Sequence, residues 1–341
     1  MTRRDAIPRG DGKADPNALS RYVAAIGRGA SKGRSLSVEE AREAMRLILD
    51  DAAAPEAVGA FLMVLRFRGE TPEELAGFAM ALRDSLPPWE GPSPAIDWPS
   101  YAAGRTRGLP WFLLSARLVA RAGLPVLLHG WNAWQSPVAS VRDALGGLDI
   151  PAAGSLGEAQ RLLEKRGIAY LPLETFSPRA LDLLKLRSVF GLRSILNTVV
   201  RMVNPGGAGC IVQGVFHPGY RPLQQEAAVH LGLENLAIIK GGGGEFERHP
   251  GKDVTVYGLR AGEAFTRSFA ALASGHRRLA DAPADPAELG RLWRGESTDR
   301  FAHDIVLGTA ALALEAHGSA APDQGLPMAE ALWETRLKRD G

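Results

Sequence analysis

The stretch Ala60-Phe61-Leu62-Met63-Val64-Leu65-Arg66-Phe67-Arg68-Gly69-Glu70-Thr71-Pro72-Glu73-Glu74-Leu75-Ala76-Gly77 contains a buried apolar segment followed by a helix start. Thr71 is an N-cap, Pro72 stands at the first helical position, where no N–H is needed, and Glu74 can return a hydrogen bond to the cap. Upstream, Ser37-Val38-Glu39-Glu40 has the same capping form, with apolar Ala41, Ala44, Met45 and Ile48 following at helical spacing. Residues 57–65 are apolar enough to lie buried between these helices. The first part of the chain is therefore expected to be helical. Residues 86–99 hold five prolines (Pro87, Pro88, Pro92, Pro94, Pro99), which break the helical pattern and place a boundary near residue 95.

Beyond the boundary the pattern alternates. Residues 125–128, 168–171, 210–216, 236–239 and 254–257 are short apolar runs of strand length. Helical patterns stand between several of them, including 110–122, a segment opened by Ser177-Pro178, and 304–317. Strand–helix alternation implies an α/β fold with a mostly parallel central sheet and loops gathered at the carboxyl ends of the strands. The fold class expected is thus α/β plus a small all-α domain.

Composition narrows the function classes. The chain has 341 residues, 45% hydrophobic and 23% charged, as globular proteins do. Cys210 is the single cysteine, which excludes an internal disulfide and a thiolate metal cluster and fits a reducing compartment. Residues 1–17 carry no apolar core of a signal peptide, and no apolar run approaches the ~20 residues of a membrane helix. A cytoplasmic protein is expected, with no membrane partner. The net charge is only +2, but its distribution is uneven. Between 101 and 128 stand Arg105, Arg107, Arg117 and Arg121 with no carboxylate, and between 179 and 201 stand Arg179, Lys185, Arg187, Arg193 and Arg201 against Asp182 alone. If such residues converge they raise the local potential by several kT; composition does not say whether they do.

Several segments, in order, resemble the anthranilate phosphoribosyltransferase (glycosyl transferase family 3) pattern. They are the 60–77 stretch quoted above, Leu128-His129-Gly130, Asp143-Ala144-Leu145-Gly146, Gly191-Leu192-Arg193-Ser194-Ile195-Leu196-Asn197 running on to Asn204-Pro205, and Val306-Leu307-Gly308-Thr309-Ala310-Ala311-Leu312. The resemblance spans about 20–335. It implies the nucleoside phosphorylase/phosphoribosyltransferase-like fold, with 1–95 as the helical domain (joined by about 176–204) and 96–341 as the α/β domain.

The same resemblance exposes departures. A Gly-Thr-Gly-Gly-Asp loop is implied after the first strand of the large domain, where glycines let backbone N–H groups approach a diphosphate. This chain has Ala102-Ala103-Gly104-Arg105-Thr106-Arg107-Gly108. An Asn-x-Ser-Thr at the next helix start is replaced by Pro110-Trp111-Phe112-Leu113-Leu114. The Lys-His-Gly-Asn signature is reduced to Leu128-His129-Gly130-Trp131, with asparagine displaced to Asn132, and the Asp-Glu pair for magnesium is represented by Gly244-Glu245. The diphosphate site is therefore expected to have lost its usual form, with no metal site and no required cofactor. Magnesium enters only if the chain is a transferase with altered donor or acceptor, the alternative reading.

What remains is basic. Arg187 falls where the family places an arginine for the anthranilate carboxylate, and Arg193 matches a neighbouring family arginine. The run Lys240-Gly241-Gly242-Gly243-Gly244-Glu245-Phe246-Glu247-Arg248-His249-Pro250 resembles a divergent YbiB-like branch, described as homodimeric and nucleic-acid-binding. The resemblance thus implies a homodimer formed through the helical domain, holding DNA or RNA non-specifically by phosphates through Arg105, Arg107, Lys185, Arg187, Arg193, Lys240 and Arg248. His129, Asn132, Gly241, Gly242 and Glu245 are expected to line the cleft. Plainer readings stand beside these. Arg105 and Arg107 are either phosphate forks or solvated loop residues, and Arg187 and Arg193 either bind anions or pair with helix carboxylates. The glycine run is either an anion nest or a close-packing turn. Trp131 and Trp134 either stack bases or pack, His129 is either functional or a hydrogen-bonded structural residue, and Glu245 and Glu247 orient arginines more readily than they hold a metal.

Overall fold

The computed structural model describes residues 15, 17–29, 31–101, 108–131, 139–275, 277–278, 281 and 285–337. Arg105, Arg107, Asn132 and Trp134, singled out above, lie outside them.

The amino-terminal helices are α1 (Ser20–Gly27), α2 (Val38–Leu49), α3 (Pro55–Arg68) and α4 (Pro72–Asp84). Both capping boxes form. The Ser37 hydroxyl accepts from Glu40 N while Ser37 N donates to Glu40, and Thr71 and Glu74 repeat the exchange at α4. Glu74 does more than cap. Its buried carboxylate also accepts from Leu36 N at 3.0 Å and from Arg68, so one side chain ties the ends of α2, α3 and α4 together. Gly77 is where α4 crosses α2: a Cβ there would lie 2.3 Å from the Val38 carbonyl oxygen, so only glycine permits this approach.

Among the described residues the sheet has seven strands in the order β3-β2-β1-β4-β5-β6-β7. These are β1 (Ile96–Ser100), β2 (Val126–Gly130), β3 (Ile168–Pro172), β4 (Cys210–Val215), β5 (Asn235–Lys240), β6 (Val254–Arg260) and β7 (Glu263–Phe269). The first five run parallel, and β6 and β7 close the edge as an antiparallel hairpin. Five strands match the apolar runs of the sequence. Two do not. The central strand β1 lies inside the proline-rich stretch read as a boundary, and β7 has only alternate residues partly covered. Proline is tolerated in β1 because pairing with β4 stops at Asp97↔Ile211, short of Pro99, so no ladder bond is lost on that side.

Side chains alternate across the strands and build two apolar layers. On one face Leu127, Ala169, Leu171, Ile211, Leu236 and Ile238 pack with the amino-terminal helices and with α9 (Pro178–Lys185) and α11 (Leu196–Val199). On the other, Val126, Leu128, Ile168, Val212 and Ile239 pack under α5 (Phe112–Arg121), α14 (Arg300–His317) and α15 (Gly325–Thr335). No helix among the described residues is long and apolar enough to cross a membrane. The chain lays β1, β2 and β3 in one direction, then returns to place β4 beside β1. That reversal is the topological switch point, where open α/β sheets form a crevice at the carboxyl ends of the strands.

Candidate functional site

A cleft opens at the switch point. Tyr101, which follows β1, and Val215, which ends β4, form its sheet side, and Arg66 from α3 reaches in from the helical layer. Arg193, Asn197 and Arg201 come from the segment between α9 and β4; Tyr220 and Gln224 come from α12 (Tyr220–His230).

The cleft is positive for a reason visible at its arginines. Burial lowers the affinity of Arg193 for its proton, and the neighbouring guanidiniums of Arg187 and Arg66 lower it further. Three like charges are thus held close enough to repel. Arg66 Nη1 also donates to the Tyr220 hydroxyl at 3.3 Å, which in turn donates to Glu70 Oε2 at 3.4 Å. At the floor, the Arg201 guanidinium donates to three backbone carbonyls: Tyr101 at 2.7 Å, Gly214 at 3.1 Å and Gly244 at 3.2 Å. Burial lowers its pKa, opposed by the Glu245 carboxylate nearby and reinforced by Arg193. Arg66, Tyr101, Arg201 and Tyr220 were not among the expected site residues. Arg66 lay in the opening stretch and Arg201 in the basic run up to 201, but nothing local marks either as facing a cleft.

Several expected site residues stand elsewhere. His129 is fully buried. Its Nε2 is hydrogen-bonded to Asp97 Oδ2 at 3.2 Å and its Nδ1 to the Tyr101 hydroxyl at 2.9 Å. Its role is to anchor Tyr101, not to line the cleft. Burial raises the Tyr101 phenol well above its usual range, so it remains a donor. The glycine run is a close-packing turn. The amides of Gly241, Gly242, Gly244 and Glu245 donate inward, to Val215, Glu247, Gly241 and Gly242 respectively, and are not aimed at an anion. Gly243 and Gly244 take positive φ, and a Cβ on Gly241 would meet the Glu245 carbonyl oxygen at 1.7 Å. Arg248 is buried on the far side. It donates to the Ala270 carbonyl at 2.7 Å and lies over Phe269. Arg117 likewise stacks on Trp293, away from the cleft. Lys185 is exposed and pairs with Asp182 at 3.6 Å, and Lys240 is exposed at the carboxyl end of β5. Trp131 is partly buried against the helical-side core.

The two glutamates of the glycine turn are buried. Glu245 is 0% exposed and accepts from Ser100 Oγ at 3.1 Å; Glu247 is 1% exposed and accepts from Phe112 N at 3.1 Å. Mg²⁺ needs octahedral oxygens and usually keeps several waters. Both carboxylates are enclosed, and the Arg201 cation lies beside Glu245.

Residues 22–86 match the family model described as "Glycosyl transferase family, helical bundle domain". An anthranilate phosphoribosyltransferase of Sphingopyxis alaskensis is 32% identical over 296 residues, 83% of this chain and 87% of that protein. The chain belongs to the anthranilate phosphoribosyltransferase family. A second member, from Erythrobacter litoralis, is 35% identical over 208 residues, and that alignment covers 60% of this chain and 62% of the relative. The fold agrees: anthranilate phosphoribosyltransferase from Thermus thermophilus superposes with a TM-score of 0.78 at 24% identity, over 93% of this chain and 94% of that one. The Saccharomyces cerevisiae protein, in complex with PRPP and Mg, superposes with a TM-score of 0.75 at 18% identity, over 95% of each chain. This chain keeps the scaffold of the anthranilate phosphoribosyltransferase family, and Arg66, Arg193 and Arg201 line its carboxyl-end crevice.

Proposed function

We propose that this anthranilate phosphoribosyltransferase-like protein binds DNA or RNA non-specifically, gripping phosphates with the arginines of its cleft and needing no metal ion. The observation that carries this reading is that Arg66, Arg193 and Arg201 line one cleft, with Arg187 near enough to Arg193 to act on its charge. Guanidiniums held together against their own repulsion are stabilised by an anion, and each can meet phosphate oxygens in a two-pronged geometry. The room between the described residues of the cleft is about 90 Å³. That suits a phosphate group offered from a passing chain better than an engulfed small molecule, whose sites span ~300–1,000 Å³.

The test is fluorescence anisotropy with unrelated oligonucleotide sequences. Similar affinities across sequences are expected, with steep weakening as salt rises and no change on adding EDTA. No binding at low salt, or binding abolished by EDTA, ends the reading. Calorimetry with PRPP and Mg²⁺ addresses the transferase alternative: no heat is expected at millimolar donor, and a saturable signal would favour a transferase instead.

We also propose that two copies associate through the helical layer. Phe67 on α3, Val189 on α10 (Arg187–Phe190) and Leu192 just after it are 96%, 75% and 54% exposed. Large apolar groups exposed together support an interface. Light scattering should return twice the chain mass, and Phe67→Glu with Val189→Glu should return a monomer. A monomeric unmodified protein at micromolar concentration rules the proposal out.

A further inference from the structure

Strand β4 is buried along its whole length, yet Phe216, the next residue, is 58% exposed. It lines the cleft beside Arg193, Arg201 and Tyr220. A lone exposed apolar side chain is ordinary on a protein surface. One set among cations at the mouth of a cleft is not.

The backbone that carries this ring is held on both sides. Gly241 N donates to the carbonyl of Val215 at 3.3 Å, one residue before Phe216, and the Arg201 guanidinium donates to Gly214 and Gly244. The strand end and the glycine turn touch there, since a Cβ on Gly244 would lie 3.4 Å from both the nitrogen and the Cβ of Phe216. On the other side, Tyr220 N donates to the His217 carbonyl at 3.1 Å as α12 begins. The His217 ring stands nearly perpendicular to that of Phe216, with centres 4.9 Å apart. Burying a phenyl ring stabilises a fold; this one is left mostly uncovered, next to the groups that meet phosphate.

A phosphate of a nucleic acid is joined through its sugar to a base. In an unpaired strand the faces of that base are open to an aromatic ring, whereas in a duplex they are stacked on neighbouring pairs. Sites for single strands combine a positive groove with aromatic side chains on which bases stack, and the stack tolerates any sequence because every base has a π face. Both components meet at this cleft.

We propose that Phe216 is a base-stacking residue: when the cleft arginines hold a phosphate of an unpaired strand, a neighbouring base stacks on its ring. This rests on the phosphate-gripping reading of the cleft and extends it from the backbone to the base. A duplex is held by the arginines alone, so the ring adds affinity only for unpaired nucleotides.

The experiment compares the full chain with Phe216→Ala, Phe216→Leu and Phe216→Tyr by fluorescence anisotropy at one low salt concentration. The probes are a single-stranded oligonucleotide, a strand carrying abasic sites in place of its bases, and a long duplex. Because the ring is exposed, the variants should melt like the parent and keep its mass in light scattering. On the single strand, alanine and leucine should lose about fivefold or more and tyrosine should bind like the parent, while alanine holds the duplex and the abasic strand within about twofold of the parent. Leucine separates stacking from general apolar contact. The salt slope should not change, because no charge is removed. If the parent binds no probe, the phosphate grip and the stack fall together. If the parent binds all three and Phe216→Ala holds the single strand as tightly, or loses equally on every probe, the arginine cleft stands and the stacking inference is overturned. A changed mass in Phe216→Ala would place the ring in a contact between copies of the chain and would overturn it too.

Discussion

Replacing Arg66, Arg187 and Arg193 together by alanine is expected to weaken oligonucleotide binding roughly a hundredfold at low salt, taking about 1 kcal/mol for each charge-assisted phosphate contact. The loss should be uniform across sequences, and the slope of log affinity against log salt should fall by about 3, one unit per contact removed. Stability should move differently. In the free protein burial lowers the pKa of Arg193, and the Arg187 and Arg66 guanidiniums lower it further. Arg66 is exposed and Arg187 and Arg193 are half-covered, so unfolding free energy should not fall by more than about 1 kcal/mol. Groups placed for binding commonly cost the fold something, and the opposite responses of affinity and stability are the signature. Unchanged affinity in the triple variant would remove the cleft from any polyanion site.

Arg201→Met should have the largest effect on stability, about 3 kcal/mol. The guanidinium serves the carbonyl oxygens of Tyr101, Gly214 and Gly244, so one side chain closes the ends of β1 and β4 and the glycine turn. Methionine fills similar volume but leaves those acceptors without their donor, and hydrogen bonds from a charged group contribute about 1.5–3 kcal/mol each before local relaxation. It also takes a cation from beside buried Glu245, where breaking a charge pair is costly. A lower urea midpoint with an unchanged m-value is the expected readout. Arg201→Lys keeps a charge but reaches fewer carbonyls and should recover only part of the loss. A loss below about 1 kcal/mol for methionine would show that these strand ends are held by other contacts.

The same two sites mark how far the sequence could be read. Ser37 and Thr71 announced α2 and α4 because a cap is a local transaction: donor and acceptor lie within three residues. Strands β2 to β5 were legible because strands buried on both faces read as continuous apolar runs, and β6 because its first buried residues alternate with half-covered ones. Strand β1 was hidden because its prolines outweigh its short apolar content, and β7 because an edge strand has few residues that must be buried. In the site, resemblance pointed to Arg187 and Arg193, of which Arg193 lines the cleft, while His129 is buried against Asp97 and the glycine amides turn inward. Whether a histidine faces a cleft or an aspartate, and whether glycine amides point out or in, depends on strands brought alongside from elsewhere in the chain.

By itself, then, the sequence determined most of the helices, the strands β2 to β6 and the family scaffold. These are matters of hydrogen bonds over a few residues, burial periodicity and residue identity. Only the tertiary structure decided which arginines meet. Arg66, Tyr101, Arg193, Arg201 and Val215 become neighbours because the chain reverses between β3 and β4 and lays β4 against β1. Their shared field arises from Coulomb interactions through space, which have no counterpart in separation along the chain.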